Sequence, residues 1–146
     1  MRSYEIRHVI GFEETNLVGN VYYANYVLWQ GRCREMFLHD HAPEILDELN
    51  QGLALVTTHV SCEFFNEMFA FDEVIIRMSI DTVVQNRINM LFDYLRVTED
   101  GEEIIAKGKQ GVACMRREKG HAVVTPIPVA LRTALVEFGA DGSLSA

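Results

Sequence analysis

A turn-rich segment followed by a helical pattern, residues 12–38, contains the side chains best suited to chemistry. Asn16 lies in the turn, where a hydrolase commonly carries a carboxylate as general base or nucleophile. An asparagine amide only donates and accepts hydrogen bonds, because it does not gain or lose a proton near neutral pH. Asn is also a common turn residue, and spacing alone favours that simpler role. Chemistry here would therefore depend on positioning and charge stabilisation, without a carboxylate at this position.

The start of the predicted helix offers hydrogen-bond donors beside Asn16. The first turn of a helix has unpaired backbone amides and a partial positive charge. Gly19 and the amides around residues 21–23, Tyr23 included, could hold a carbonyl oxygen as it gains negative charge, which can be worth about 3 kcal/mol of barrier. Every helix start has such donors, so they indicate an oxyanion site only because Asn16 is next to them.

Arg34 is the cation on the same predicted helix that could polarise a carbonyl or stabilise an enolate-like fragment. It follows Tyr23 by eleven residues, which is about 16 Å along an ideal helix. Either the loop carrying Asn16 folds back along the helix, or Arg34 reaches a different part of the site. A surface cation beside Glu35 is the simpler interpretation, and Arg32 is the alternative candidate.

Aromatic residues are concentrated on the predicted helix and on and after the second strand: Tyr22, Tyr23, Tyr26, Trp29, Phe64, Phe65, Phe69 and Phe71. Such clusters more often form core than pocket. A flat unsaturated chain would nevertheless suit an aromatic-walled tunnel. Thr58 could place a hydroxyl near the site.

The histidines and cysteines look structural. His39 and His41 are two apart, which is the wrong spacing for one helix face, and we predict no metal site. His8 and His59 lie on predicted strands without a visible carboxylate partner. The three cysteines are widely spaced in apolar segments and read as reduced thiols.

Composition limits the functional classes. The 146 residues form one predicted domain, 1–146, and the net charge of −8 argues against a nucleic-acid partner. The apolar runs are too short to cross a membrane. The amino terminus has no apolar block of the signal-peptide type, so we expect a cytoplasmic protein.

The periodicity predicts an α+β domain in which one long helix meets one curved antiparallel sheet. Asn20 is the predicted N-cap of the helix, whose apolar face would contain Ala24, Val27, Leu28 and Gly31. The predicted elements are a strand over 4–12, a helix over 22–39, a short helix from Pro43 ended by Gly52, strands over 53–67, 73–83, 86–98 and 103–117, a helix over 127–138, and a loose tail over 141–146. Long edge strands tend to pair with another chain, so we expect a homodimer with a continuous sheet.

This element order and the run E-T-N-x-x-G-N-V-Y-Y-A-N-Y, residues 14–26, resemble the hotdog-fold thioesterases of the 4-hydroxybenzoyl-CoA type. Their signature is D-x-D-x-x-G-x-V-x-x-x-x-Y, followed by an aromatic-rich helix ending in an A-R pair. The positions that match or replace it are Glu14, Asn16, Gly19, Val21 and Tyr26, with Trp29 and Arg34 continuing the helix. The resemblance implies a hotdog fold, with a long central helix wrapped by a curved antiparallel sheet.

An asparagine in place of the usual catalytic aspartate, with Arg34 retained, is similar to the thioesterases of enediyne polyketide biosynthesis. The resemblance implies cofactor-free hydrolysis of a polyene β-keto acyl thioester on the acyl carrier protein domain of a polyketide synthase, with decarboxylation of the released acid and a dimer-of-dimers assembly. Water would be the nucleophile. The implied catalytic residues are Asn16, Gly19, Tyr23 and Arg34, and the implied substrate contacts are Tyr26, Trp29, Thr58 and Phe64.

Two alternatives remain open at this point. One is a general acyl-CoA thioesterase in which Glu14 or Glu13 supplies the carboxylate. The other is a non-catalytic protein that binds the acyl carrier. A hotdog dehydratase is less favoured, because no histidine and acid pair stands out. A basic group near the carboxyl terminus, Arg116, Arg117, Lys119 and Arg132, is either a solvated turn or a contact for an acidic carrier.

Overall fold

The computed structural model describes residues 2–140 and shows one antiparallel sheet curled around a long helix. The predicted tail over 141–146 lies outside the described residues. The elements are β1 (Tyr4–Val9), a 3-10 turn (Phe12–Glu14), α1 (Ala24–His41), α2 (Glu44–Leu49), β2 (Leu53–Phe64), β3 (Glu73–Val84), β4 (Arg87–Thr98), β5 (Gly101–Glu118), β6 (His121–Val124) and α3 (Val129–Glu137). The predicted α+β class is confirmed, and the predicted elements follow in the predicted order, with β6 as an additional strand. No helix in this part of the chain is long and apolar enough to cross a membrane.

The sheet has the strand order β1-β3-β4-β5-β2, and β6 pairs with the end of β5. All pairings are antiparallel. The register shifts once in the β2–β5, β3–β4 and β4–β5 pairs. Such bulges bend a strand and increase its twist, which lets the sheet curl around α1.

The core lies between α1 and the concave face of the sheet. The alternating residues Val74, Ile76, Met78 and Ile80 of β3 are all buried there, as the period of two predicts. The buried stripe of α1 contains Tyr26, Trp29, Cys33 and Phe37. These residues follow the three- and four-residue spacing of a helix face.

Two predictions about α1 are wrong. The face with Val27 and Leu28 is exposed, because the larger aromatic stripe occupies the core side. The helix begins at Ala24, with Tyr23 at the capping position and no side-chain cap. Asn20 does not cap it. Its backbone instead forms an isolated bridge with Phe69, and its side chain bonds to Glu67.

β2 occupies one edge of the sheet, and its outer side pairs with no strand in residues 2–140. Most of its side chains are exposed, including Val56, Val60 and Phe64. An apolar edge strand of twelve residues is a template for pairing with another chain. β6 was missed by the sequence analysis because its four side chains are all exposed and leave no alternating pattern.

Candidate active site

Glu14 anchors the loop that carries Asn16. Its carboxylate is 16% exposed and accepts hydrogen bonds from three groups. His8 Nε2 lies 2.6 Å and the Gly11 amide 2.9 Å from Oε1, and Trp29 Nε1 lies 3.0 Å from Oε2. The expectation that His8 has no carboxylate partner is therefore wrong. These bonds tie β1, the loop and α1 together through one side chain.

The backbone carbonyl of Glu14 completes this anchor. It accepts hydrogen bonds from Asn25 Nδ2 at 2.8 Å and from the Tyr22 amide at 2.9 Å. Trp29 is 4% exposed and packs against His8 and Tyr26. The structure thus places Trp29 in the support of the loop and not on the cavity wall described below.

The bonds to Glu14 also determine its charge. Burial raises the pKa of the Glu14 carboxyl, but hydrogen bonds from Gly11, His8 and Trp29 lower it more, so that the pKa lies below its ordinary value. The Glu14 side chain is therefore ionised near neutral pH, and it accepts hydrogen bonds from Gly11, His8 and Trp29. Three donors leave about one of the four lone-pair sites of the carboxylate free, and the lowered pKa makes Glu14 a weak general base near neutral pH.

Glu14 should make the stability of the protein depend on pH. A folded-state pKa below the unfolded value adds stability that is complete above the unfolded pKa of about 4.3 and is lost as the pH falls through the folded pKa. We expect Glu14→Gln to lower the melting temperature near neutral pH, and the deficit to shrink below about pH 4. Thermal unfolding across this range checks the prediction. A deficit that stays constant down to about pH 3 would contradict it.

Asn16 forms a tight turn that uses one end of its side chain. Its Oδ1 accepts the Val18 amide at 3.0 Å, and its backbone carbonyl accepts the Gly19 amide at 2.9 Å. Gly19 has φ +91°, which favours glycine. The Gly19 amide is therefore occupied within the turn. The Asn16 Nδ2 group donates to no acceptor in residues 2–140, so the amino end of this side chain is the one available to a ligand.

The free backbone donors at the start of α1 are fewer than the sequence indicates. The Val21 amide donates to Met68 O and the Tyr22 amide to Glu14 O, both at 2.9 Å. The amides of Tyr23 and Ala24 donate to no acceptor within the described residues. These two belong to the first turn, where the helix dipole favours negative charge. They are the available donors for an oxyanion.

A cavity of about 190 Å³ brings several predicted site residues together. It lies between the Asn16 turn, the start of α1 and the end of β2. Its wall includes Asn16, Tyr23, Tyr26 and Phe64, and also the residues Asn20, Val21, Asn66, Glu67 and Met68. Asn16 and Tyr23 also line an open cleft of about 930 Å³ on the surface. The two residues therefore lie where this cleft and the cavity adjoin.

Arg34 lies elsewhere in the same chain. It is half-buried, and its Nη1 donates to Gln110 Oε1 at 2.8 Å and contacts Thr57 Oγ1 at 3.5 Å. Its Nε is buried without a partner, and no carboxylate of residues 2–140 forms an ion pair with it. Burial lowers the pKa of the guanidinium below its ordinary value. Arg34 is a cation held by neutral groups.

A chain of buried amides supports Arg34. Gln110 is 3% exposed and its Nε2 lies 3.4 Å from Gln30 Oε1, while Gln30 Nε2 donates to Ser61 O at 3.1 Å. A Cβ at Gly108 would lie 2.2 Å from Gln30 Nε2 and 3.1 Å from Ser61 O, so any side chain there would displace the Gln30 amide. Sequence reasoning missed both glutamines. One of them could have been found, because Gln30 is a polar residue on the buried face of α1, four positions before Arg34.

Thr58 is the bulged residue of β2 and is exposed. Its Oγ1 packs against Gly111 of β5, where an added Cβ would lie 2.6 Å away. The structure does not place Thr58 on the wall of the Asn16 cavity. The neighbouring Thr57 is the threonine that contacts Arg34.

Comparison with known proteins shows the family. The model of the thioesterase-like superfamily matches residues 10–135. The chain belongs to this superfamily. It is a thioester hydrolase with a hotdog fold, and both predictions are confirmed. No match was found among curated proteins.

Solved structures of thioesterases share the fold. The chain is 49% identical to the dynemicin thioesterase, whose crystal structures concern induced-fit and allosteric effects upon polyene binding, with a TM-score of 0.90 over 97% of this chain and 99% of that one. A 4-hydroxybenzoyl-CoA thioesterase variant in complex with its CoA thioester is 15% identical, with a TM-score of 0.82 over 92% and 99% of the two chains. A 1,4-dihydroxy-2-naphthoyl-CoA thioesterase from Synechocystis is 17% identical, with a TM-score of 0.77 over 92% and 96%. The predicted resemblance to both groups is confirmed.

Proposed function

We propose that this thioester hydrolase releases a polyene β-keto acyl chain from the acyl carrier protein domain of a polyketide synthase in enediyne biosynthesis. The observation that carries the proposal is Asn16 at the position of the usual carboxylate, in a chain 49% identical to the dynemicin thioesterase. The free Asn16 Nδ2 and the aromatic wall of Tyr26 and Phe64 support it. A flat conjugated chain would lie against such a wall.

The proposed reaction needs no carboxylate base. The thioester oxygen would accept hydrogen bonds from Asn16 Nδ2 and from the amides of Tyr23 and Ala24, which stabilise the negative charge that develops as water attacks. The carbon–sulfur bond then breaks, and a free β-keto acid and a thiol result. A β-keto acid loses carbon dioxide once released. Glu14 has no role as a base in this scheme, because its hydrogen bonds hold the pKa of its carboxyl below the ordinary value and make it a weak base near neutral pH.

We propose that Arg34 acts across a homodimer. The free edge of β2 carries Thr57, which Arg34 contacts, and ends at Phe64 in the Asn16 cavity. If two β2 edges pair antiparallel about their midpoint, the amino-terminal half of one strand lies along the carboxyl-terminal half of the other. The partner's Arg34 would then approach the Asn16 cavity. This arrangement would bring together two residues that line no common cavity within residues 2–140 of one chain.

The acyl carrier protein would bind through the basic residues near the carboxyl terminus of this chain. Arg116, Arg117, Lys119 and Arg132 form no salt bridge within residues 2–140. Carrier proteins are commonly acidic, and a chain of net charge −8 needs a local positive surface to attract one.

Product analysis tests the proposed function. The wild-type protein is mixed with a polyene β-keto acyl carrier protein, and the free carrier thiol and the released polyene are measured together by mass spectrometry. We expect one free thiol for each released chain, and a decarboxylated methyl ketone as the final product. Tight binding of the carrier without thiol release would overturn the proposal and favour a non-catalytic binding protein.

A further inference from the structure

Two glutamines lie on the buried side of the fold, where apolar residues would be expected. Gln30 of α1 is fully buried, and Gln110 of β5 is 3% exposed. The next residue on the same face of β5, Val112, belongs to the apolar core, and so does Met90 opposite Gln110 on β4. Burial of an amide costs free energy unless its hydrogen bonds are formed, and methionine would fill a similar volume without that cost. The two amides therefore indicate a use for their hydrogen bonds.

The groups at the two ends of this amide chain determine its direction. The carbonyl of Ser61 only accepts hydrogen bonds, so Gln30 presents its Nε2 to that oxygen, at 3.1 Å. The Oε1 of Gln30 is then the group that meets Gln110 Nε2, at 3.4 Å. A guanidinium only donates, so Gln110 presents its Oε1 to Arg34 Nη1, at 2.8 Å. Each amide therefore has one orientation that satisfies both of its neighbours.

The chain of amides holds Arg34 with a neutral acceptor. A carboxylate in place of the Gln110 amide would bind the guanidinium at least as firmly, but it would also compensate the positive charge. No carboxylate of residues 2–140 forms a salt bridge with Arg34, and its buried Nε has no hydrogen-bond partner among these residues. A partly buried cation without an anion is costly to the fold. The arrangement therefore favours a use of the charge in the reaction.

We propose that Gln110 is a positioning residue for the hydrolysis, which directs the Arg34 guanidinium and leaves its charge free, and that Gln30 fixes the Gln110 amide. This inference rests on the proposed function, in which Arg34 acts on the bound thioester. The free charge stabilises the thioester oxygen as that oxygen becomes negative. Neither glutamine contacts the substrate or exchanges a proton, and both act through Arg34.

Two substitutions of Gln110 separate the position of the cation from its charge. Gln110→Met removes the acceptor and keeps a similar volume, so we expect kcat on the polyene β-keto acyl carrier protein to fall about tenfold. Gln110→Glu keeps the acceptor and adds a negative charge beside Arg34, so we expect kcat to fall about thirtyfold. KM should change by less than about twofold in both variants, because the charge is used in the transition state. Steady-state thiol release measures these effects, and thermal unfolding shows that each variant is folded.

A double-mutant cycle with Arg34→Met separates positioning from a structural role. If Gln110 acts only through Arg34, adding Gln110→Met to Arg34→Met should change kcat by less than about twofold. Gln30→Met leaves the Gln110 amide without its orienting acceptor, so it should lower kcat about fivefold alone and have no further effect on Arg34→Met. Asn86→Ala is the matched control, since it removes another buried amide, whose Nδ2 donates to Cys114 O at 2.9 Å, and should leave kcat unchanged.

Several results would overturn the inference. If Arg34→Met is impaired but folded Gln110→Met and Gln110→Glu keep kcat within about twofold of the wild type, this inference alone fails. Additive losses in the cycle would show that Gln110 supports the fold and not the cation. An unimpaired Arg34→Met would overturn the inference together with the proposed role of Arg34, while the hydrolysis itself would stand. A wild-type protein that releases no thiol would overturn the proposed function as well.

Discussion

Asn16→Ala is expected to lower kcat on the carrier thioester by about 10²- to 10³-fold, the loss typical of removing one oxyanion donor. The physical reason is that Asn16 Nδ2 is free within the described residues, while Oδ1 is used by the Val18 amide. Loss of that turn bond should cost only about 1 kcal/mol of stability. Steady-state thiol release and thermal unfolding measure the two effects separately. A folded Asn16→Ala protein with kcat within threefold of the wild type would contradict the assignment.

Asn16→Asp is the matched variant for this prediction. Aspartate keeps an acceptor for the Val18 amide, so the turn should persist. It removes the donor and adds a carboxylate, which is the group that the resemblance to the 4-hydroxybenzoyl-CoA type implies at this position. We expect the variant to hydrolyse saturated acyl-CoA faster than the wild type does. No gain on any acyl-CoA would show that the surrounding site cannot use a carboxylate here.

Arg34→Met is expected to lower kcat by about a hundredfold, and mixing it with Asn16→Ala should restore activity. If each site takes Asn16 from one protomer and Arg34 from its partner, a mixed dimer of the two inactive variants contains one site with both native residues. We therefore expect co-expressed mixed dimers to recover about half of the wild-type activity per dimer. If both residues act within one chain, every site keeps one defect and nothing is recovered.

The stability of the Arg34→Met variant shows whether its loss of activity comes from the missing guanidinium or from unfolding. The variant loses the 2.8 Å bond to Gln110 but also removes a half-buried cation without a carboxylate partner. These effects are each about 1–3 kcal/mol and opposite in sign, so the melting temperature should change little. Arg32→Met is the control, because Arg32 is exposed on the same helix. A loss of activity in Arg32→Met would favour Arg32 as the functional cation.

The fold was predictable from the sequence because its main signals are local. The alternation of Val74, Ile76, Met78 and Ile80 places one face of β3 in the core, and the structure confirms it. The buried face of α1 was not predictable in the same way. Val27 and Leu28 are as apolar as core residues, and only the packing of the aromatic stripe against the sheet leaves them exposed.

The residues of the candidate site that lie within the single motif over 14–26 were predictable from the sequence. Asn16, Tyr23 and Tyr26 are close in sequence, and they share a cavity in the structure. Residues brought from far along the chain were not predictable. Glu67 is 47 positions from Asn20, and Gln110 is 76 positions from Arg34, so their contacts depend on the curl of the whole sheet.

The role of Glu14 was also not predictable, because it depends on contacts with other elements of the fold. Its place in the motif made it a candidate base, but its bonds to His8 and Trp29 depend on how β1 packs beside α1. The sequence alone identifies the Glu14 carboxyl but does not show which groups donate hydrogen bonds to it. For this reason the alternative of a carboxylate-dependent acyl-CoA hydrolase could be weighed only with the structure.

The measurement that tests the central claim most directly is the ratio of kcat/KM for two thioesters with the wild-type protein. One is a polyene β-keto acyl chain on its carrier protein, and the other is a saturated acyl-CoA of the same chain length. We predict a ratio of at least about a hundredfold in favour of the carrier substrate, and a rate that persists in Glu14→Gln protein that remains folded. Faster cleavage of the acyl-CoA, abolished by Glu14→Gln, would contradict the account and identify a carboxylate-dependent acyl-CoA hydrolase.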